Sequence, residues 1–277
     1  MDKIPVSYGQ YRISIMAKAT YIHGTETSEQ ERLALLNRLT NPSFISFLEL
    51  KESMRVLEIG SGLGILVGEI ANRISRGAVF GIEYSADQLK RAIRSSSNLH
   101  MIRGDGHSLP FPENQFDAVY CRYVLEHVAD PVHVLREMLR VLKSGGAAYA
   151  QENNISVVAF DPDCPMFDHI WRQFATLQTR LGGDALIGKR LYRFFREAGF
   201  RNIQLSYAPE IHHAGSKDFE GWVINLIGNV QSGKNMLIQE KLATTEEIDG
   251  AIAELESLMS RKDASALFHW NRASAKK

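Results

Sequence analysis

A glycine-rich segment carries the most chemistry in this sequence. The run RVLEIGSGLGILVGEI (residues 55–70) places Gly60, Gly62 and Gly64 between an apolar, strand-like stretch and an amphipathic, helix-like stretch. Glycine lets the backbone approach a ligand closely, and the first turn of a helix directs its amides towards that ligand. The segment therefore predicts a ligand-binding turn between a strand and a helix.

Acidic side chains near this turn indicate which ligand it suits. Glu58 lies two residues before Gly60, where a carboxylate would repel a pyrophosphate but would suit an ammonium group. Glu83 ends the next predicted strand, where a carboxylate can accept hydrogen bonds from both hydroxyls of a ribose. Asp105 follows the third predicted strand and could accept a hydrogen bond from an adenine amino group. A nucleoside without phosphates fits these positions.

Other glycine-rich sites fit the segment less well. A dinucleotide-binding turn has its third glycine five positions after the first, and that position here is Ile65. A phosphate-binding loop would continue with Gly-Lys-Ser/Thr, which does not follow. A nicotinamide-dependent oxidoreductase on the same general sheet stays an alternative, opposed by Ile65 and by Glu58.

The composition excludes several classes of protein. Of the 277 residues, 44% are hydrophobic and 23% are charged, which is typical of a globular chain. Lysine plus arginine (32) equals aspartate plus glutamate (32), so no net charge steers the chain to nucleic acid or to an acidic membrane. Cys121 and Cys164 lack metal-ligand spacing and fit a reducing compartment. We expect a cytoplasmic protein that binds no metal, nucleic acid or membrane.

Short apolar runs that alternate with helix-period segments predict a parallel sheet covered by helices. The right-handed crossover rule makes a doubly wound α/β sheet the economical arrangement, with ligands at the carboxyl ends of its strands. We expect seven mostly parallel strands, at residues 54–59, 79–83, 99–103, 116–121, 147–151, 201–207 and 266–272.

Helical segments flank the predicted sheet. A capping box of Ser28 and Glu31 starts one helix, and Pro42 is expected to start a second, short one. The Asp- and Pro-rich residues 161–165 read as a loop, and a helical pair is expected between the sixth and seventh strands. The chain thus divides into an N-terminal helical lid, a core and a helical cap: residues 1–50, residues 51–212 with 263–277, and residues 213–262.

These motifs resemble the class I S-adenosylmethionine-dependent methyltransferases, in the broad group that includes the ubiquinone and menaquinone C-methyltransferases. The resemblance rests on VLEIGSGLG, GIEYS, GDGHSLPFPENQFDAVYCRYVLEHV and VLKSGGAAYAQE, which cover about residues 50–155. AGFRNIQL and FHWNRAS resemble the sixth and seventh strands of that Rossmann-like methyltransferase fold, and YIHGTETSEQERL is similar to an N-terminal lid. The resemblance implies S-adenosylmethionine as cofactor and a small-molecule acceptor.

The resemblance also implies which residues bind the cofactor. Glu58 and the glycines would line its methionine part, Glu83 its ribose, and Asp105 with the Gly106 amide its adenine. The full expected set is Tyr21, His23, Glu58, Gly60, Ser61, Gly62, Gly64, Glu83, Tyr84, Gln88, Asp105, Gly106, His107 and Arg122.

The acceptor side is predicted from position alone. His127 follows the fourth strand near the open end of the sheet and is the candidate catalytic residue, although a packing or capping role competes. Residues just after the fifth strand and at the cap are candidates for acceptor contacts, against loop solvation and core packing. These candidates are Glu152, Asn153, Asn154, His212 and Trp222.

The predicted reaction is methyl transfer to an oxygen, nitrogen or carbon atom of a small molecule. A methyltransferase-fold protein that binds the cofactor without transfer, either a regulator or a pericyclase, stays an alternative because the fold shares its cofactor site more widely than its substrate site. We consider a homodimer as the assembly.

Overall fold

The computed structural model describes residues 27–93 and 96–277, and its sheet in these ranges contains eight strands. The expected residues Tyr21 and His23 lie outside them. The strands are β1 Arg55–Ile59, β2 Ala78–Glu83, β3 Leu99–Arg103, β4 Phe116–Arg122, β5 Leu142–Glu152, β6 Ala159–Asp161, β7 Arg201–His213 and β8 Ser265–Lys276. The helices are α1 Thr27–Phe47, α2 Ile65–Arg73, α3 Ala86–Arg91, α4 Pro131–Val141, α5 Pro165–Arg180, α6 Leu191–Ala198, α7 Phe219–Gln239 and α8 Thr245–Ser260.

The sheet confirms the doubly wound α/β prediction. Strands β3, β2, β1, β4 and β5 are neighbours in that order and run parallel, while β8 pairs antiparallel with β5. Strand β7 pairs antiparallel with the other edge of β8 along its length. The carboxyl ends of β1, β2 and β4 therefore meet at one edge of the sheet, where such folds bind ligands.

One strand was not expected. Strand β6 occupies Ala159–Asp161, just before the predicted loop 161–165 and sharing only Asp161 with it, and makes the sheet eight-stranded rather than seven-stranded. Strand β8 is twelve residues long, and β5 pairs only with the part from Asn271 onward. Before Asn271, the edge of β8 that faces β5 would have unpaired backbone groups. Strand β6 pairs with residues 265–267 on this edge.

Helix α1 continues through Pro42, so the expectation of a second helix starting at Pro42 is wrong. Proline removes one backbone hydrogen bond from a helix. Packing outweighs this loss, because Phe44 and Leu48 on the far side of Pro42 are fully buried against the sheet. The Thr40 hydroxyl also donates to the Leu36 carbonyl, 2.7 Å away, within the same helix.

Helices cover the sheet in distinct groups. Helix α2 packs beside β1 and β2 together with the end of α1, whereas α4 and α6 pack on another apolar cluster. Helices α1, α5, α7 and α8 contact one another and form what we call the helical layer. Its core includes Phe174, Trp222 and Leu226. None of the described helices is both long and apolar enough to cross a membrane.

Two buried arginines fasten α1 to the sheet. Arg122, the last residue of β4, donates to Asn37 Oδ1 and Asn41 Oδ1, each 2.7 Å away, and to Thr40 Oγ1 at 3.1 Å. Arg272 of β8 donates to Ser43 Oγ at 3.0 Å. The helix is therefore held at two points by charge-assisted hydrogen bonds.

Replacing Arg122 with methionine should destabilise the protein, because three side-chain acceptors on α1 lose their charged donor. We expect a loss of about 1.5 to 3 kcal/mol in the free energy of unfolding, measured by urea denaturation. The control is Arg38→Met, since Arg38 is an exposed residue of the same helix. Equal stabilities of the two variants would contradict this role for Arg122.

Candidate functional site

A cavity of about 620 Å³ lies at the carboxyl ends of β1, β2 and β4. One part of its wall consists of the last residues of these strands and the residues that follow them, and the other part belongs to the helical layer and β8. We call the first part the strand-end wall and the second the helical wall. Its size would admit a nucleoside and a second small molecule together.

The glycine loop after β1 is shaped by backbone requirements. The amides of Gly60 and Ser61 both donate to the Ile82 carbonyl, at 2.8 and 3.0 Å, which fixes the loop against β2. Gly60 has a φ of +73°, and a Cβ added there would lie 2.4 Å from Val124 Cγ2. Glycine is therefore required at this position by both conformation and space.

Glu83 is held beneath the glycine loop by backbone amides. Its Oε2 accepts a hydrogen bond from Gly62 N at 2.8 Å, and its Oε1 accepts one from Ser85 N at 2.7 Å. The residue is buried but still lines the cavity. Because a carboxylate oxygen can accept more than one hydrogen bond, both oxygens can also receive a ligand hydroxyl.

Glu58 lines the cavity from β1 with much less support. Its Oε2 is buried and has no hydrogen-bond partner among residues 27–93 and 96–277. Burial raises the pKa of Glu58 to about 8, and the nearby Arg122 guanidinium opposes this rise only in part. A buried carboxyl group with one unsatisfied oxygen is suited to a ligand that brings a positive charge.

Most of the described residues expected to bind the cofactor meet in this cavity. Asp105 accepts hydrogen bonds from the backbone amide of His107 at 2.9 Å and lies 2.8 Å from its Nδ1. Gly64 is an exception, since it lies at the start of α2, outside the wall. The wall contains Glu58, Gly60, Ser61, Gly62, Glu83, Tyr84, Gln88, Asp105, Gly106, His107 and Arg122.

A short 3₁₀ turn, Leu125–His127, follows β4 and brings His127 to the cavity. The structure places Glu152 beneath this turn instead of on the predicted rim. Its Oε1 accepts hydrogen bonds from Val124 N and Leu125 N, at 3.2 and 3.1 Å, because these amides would otherwise be buried without acceptors. Burial and the charge of Glu126 raise the pKa of Glu152 to about 8.

Only two of the other four residues predicted to contact the acceptor line the cavity. Asn153 and Trp222 line the cavity. Asn154 does not, because its side chain accepts from Ser156 N at the start of another short turn. His212 lies outside the wall, where its ring stacks on Trp222 with centroids 5.3 Å apart and its Nε2 is 3.2 Å from Glu210 Oε2.

Most residues of the helical wall were not predicted from the sequence. Its side chains include Trp171, Phe174 and Gln178 of α5, Asn225 and Leu226 of α7, Phe268 and Trp270 of β8, and Arg32 of α1. The α5 residues lie three and four positions apart, and Asn225 and Leu226 lie three and four positions after Trp222, but the same spacing describes an ordinary buried core. Only the fold shows that these faces also border a cavity.

Arg32 adds a polar contact between α1 and α7 without adding net charge. Its guanidinium donates to both carboxylate oxygens of Glu29, at 2.6 and 2.8 Å, and to Asn225 Oδ1 at 3.0 Å. The pair is buried and electrically neutral. The helical wall thus combines aromatic and polar side chains, and this ion pair gives it no net charge. Among the described residues there is no group of three or more His, Cys, Asp or Glu that could hold a metal ion.

Sequence comparisons support a methyltransferase domain, whose family model matches residues 57–150. An uncharacterised methyltransferase of Schizosaccharomyces pombe is 27% identical, covering 81% of this chain and 80% of the relative. The sterol 24-C-methyltransferase of Aspergillus fumigatus is 35% identical over 42% of this chain and 32% of its own length. The demethylmenaquinone methyltransferase of Staphylococcus saprophyticus is 24% identical, covering 57% and 75%. The chain thus spans about a third of the sterol enzyme.

Solved structures share the fold. The phosphoethanolamine N-methyltransferase 2 of Haemonchus contortus, determined with S-adenosyl-L-methionine, gives a TM-score of 0.51 at 18% identity and covers 90% of this chain and 52% of that one. The [4+2]-cyclase SpnF gives a TM-score of 0.51 at 19% identity, covering 87% of this chain and 80% of that one. At these identities the likeness concerns the fold alone.

The pKa of Glu58 predicts how stability depends on pH. Between its ordinary value of 4.5 and about 8, the folded protein holds a proton that the unfolded chain has released, so the stability of the ligand-free protein should fall as pH rises. Between pH 5 and 8, the fall in the free energy of unfolding should be smaller in Glu58→Gln by at least about 1 kcal/mol. This amount is close to the free energy of a pKa shift of one unit. Urea denaturation at both pH values tests this.

The pKa of Glu152 is also raised to about 8, and this residue is unchanged in the Glu58→Gln variant. Part of the fall in stability with rising pH should therefore persist. Glu52→Gln, at an exposed site outside the cavity wall, serves as the control. A pH dependence in Glu58→Gln that matches the unmodified protein would rule out an unusual proton on Glu58.

Proposed function

We propose that this chain, whose residues 57–150 match a methyltransferase domain, is a class I S-adenosylmethionine-dependent methyltransferase that transfers the donor's methyl group to a small molecule held against the helical wall. The observation that carries this proposal is the pairing of the glycine loop with Glu83. The carboxylate is fixed by Gly62 N and Ser85 N and still lines the cavity. This arrangement suits a ribose, whose two hydroxyls are hydrogen-bond donors.

The residues present also fit the rest of the donor. The partnerless Glu58 Oε2 would receive the ammonium group of the methionine part. Gly60 and Gly62 line the cavity with backbone alone, so that part can approach the loop closely. Asp105, already oriented by His107, would accept from the adenine amino group.

S-adenosylmethionine is a substrate that supplies a methyl group on a sulfonium, with a leaving group that is already activated. The chain's own contribution is therefore mainly to hold the acceptor in line and to exclude water. The helical wall serves both purposes, because aromatic side chains such as Trp171, Phe174 and Trp222 form an apolar surface. We infer that the acceptor is largely apolar and that α1, α7 and α8 act as lid and cap around it.

The charge of the chain and its cysteines support, respectively, the type of acceptor and the cellular compartment that we propose. The balanced charge of the chain favours a small-molecule acceptor over nucleic acid. Both Cys121 and Cys164 are free and buried, as is common in a reducing compartment. We therefore place the reaction in the cytoplasm.

Calorimetry should detect saturable binding of S-adenosylhomocysteine and no binding of NAD. Glu83→Gln should weaken the affinity for S-adenosylhomocysteine about 10- to 100-fold, because a hydrogen bond to a charged group is replaced by a neutral one. The variant Glu49→Gln is a control, since Glu49 lies outside the cavity wall.

Binding of NAD in place of S-adenosylhomocysteine would refute the proposed donor. Unchanged affinity in a folded Glu83→Gln variant would refute the ribose contact. Mass spectrometry of candidate acceptors incubated with labelled donor tests transfer itself, and donor binding without methylated product from any acceptor would indicate a regulator or a pericyclase.

A further inference from the structure

The turn Leu125–His127 lies where the two walls of the cavity meet. On one side, Val124 just before the turn would contact any side chain placed at Gly60. On the other side, Gln178 of α5 donates through Nε2 to the Glu126 carbonyl at 3.3 Å and to its Oε2 at 3.0 Å. A group on this turn can therefore reach both the donor and the acceptor.

Two adjacent side chains of the turn face the cavity as a pair. The distance between His127 Nε2 and Glu126 Oε1 is 3.9 Å, and both residues line the cavity. The imidazole retains partial exposure, with 21% of its side chain accessible, while the carboxylate is buried at 8%. An imidazole beside a buried carboxylate is a common proton acceptor, since the carboxylate stabilises the imidazolium that forms.

The surroundings of the pair hold its carboxylate in place. Gln178 engages Oε2 of Glu126, which leaves Oε1 towards His127. Glu152 of β5 binds the amides of the turn from below. Asp184, after α5, donates through its amide to the Glu126 carbonyl at 2.9 Å, and its own carboxylate is paired with Arg190.

The aromatic part of the helical wall indicates the shape of the acceptor. Trp222 lies edge-on to Trp270, with centroids 6.3 Å apart, and tilted towards Phe268 at 5.6 Å. On α5, Trp171 and Phe174 stack at 5.7 Å. Aromatic surfaces of this kind favour planar apolar rings by stacking and edge-to-face contacts.

We propose that His127 is the catalytic base, that Glu126 is its positioning residue, and that the acceptor is a planar apolar ring bearing a hydroxyl or an amine. This inference rests on the proposed function. The acceptor's heteroatom gives its proton to the His127 imidazole as its electron pair forms a bond to the methyl carbon. The carbon–sulfur bond breaks, and its electron pair goes to sulfur, leaving S-adenosylhomocysteine and an imidazolium beside Glu126.

The first test uses 1-naphthol, 1-naphthylamine and 1-methoxynaphthalene as probes on the protein loaded with S-adenosylhomocysteine. The naphthol or the naphthylamine should bind at least 10-fold more tightly than the methoxy compound, which has no proton to donate, and the tighter of the two identifies the heteroatom. In His127→Leu the ratio should approach one. Equal binding of all three probes to the unmodified protein, or no binding of any, would overturn the acceptor class.

The second test measures transfer of labelled methyl from S-adenosylmethionine to the better probe. His127→Gln should lower kcat at least about 100-fold, as expected for loss of a general base. His169→Gln is the matched control, because His169 is exposed on α5 outside the cavity wall. Transfer by His127→Gln at the rate of the control would overturn the assignment.

Glu126→Gln separates positioning from simple structural support. We expect kcat to fall about 10-fold, the KM for the probe to change less than twofold, and the acidic limb of the kcat/KM profile to move to lower pH. The exposed Glu256→Gln on α8 is the control. A uniform loss of rate with an unmoved limb would overturn the role of Glu126.

Binding of S-adenosylhomocysteine distinguishes a failure of the proposed function from a failure of the proposed base and acceptor class. It should be unchanged in His127→Gln and in Glu126→Gln, because neither side chain is assigned to the donor. If the unmodified protein does not bind S-adenosylhomocysteine, the proposed function fails. If it does bind and only the probe tests fail, the failure belongs to the base and the acceptor class.

Discussion

A carboxylate buried at the end of a strand needs hydrogen-bond donors or an opposite charge, and this constraint organises the site. Glu83 meets it with two amides, one from the glycine loop and one from the turn after β2. Glu152 meets it with the amides of the turn after β4. Glu58 has an oxygen for which the described residues supply no hydrogen-bond donor. Two of the three carboxyl groups thus support the loops that border the cavity, and the third lines the cavity with one oxygen that the described residues leave unsatisfied.

The sequence was sufficient for the part of the fold that local pattern controls. Strands β1 to β4 were placed to within one residue, because each is a short apolar run bounded by a turn. Strand β5 begins at Leu142 instead of 147, since Leu142 pairs with Phe116, a distant partner. Likewise β6 exists only because β8 offers it an edge. Pairing between distant segments leaves little trace in local composition.

The same distinction applies to the site. The strand-end wall was predictable because its residues follow strands whose order the motifs imply. The helical wall was not, because Trp171 and Trp222 have the spacing of core residues and are indeed buried. Glu152 was expected at the cavity rim because it follows the predicted fifth strand, residues 147–151. It lies beneath the turn after β4 instead, because it accepts hydrogen bonds from two backbone amides of that region. The sequence gives no sign that these amides need an acceptor.

Strand β8 has the most varied contacts in the sheet, and this has a consequence for biosynthesis. It pairs with β5, β6 and β7, contributes Phe268 and Trp270 to the cavity, and sends Arg272 to α1. During translation, the glycine loop and the parallel strands emerge well before β8 does. A nascent chain can therefore assemble the strand-end wall early, while the helical wall is incomplete until β8 is in place.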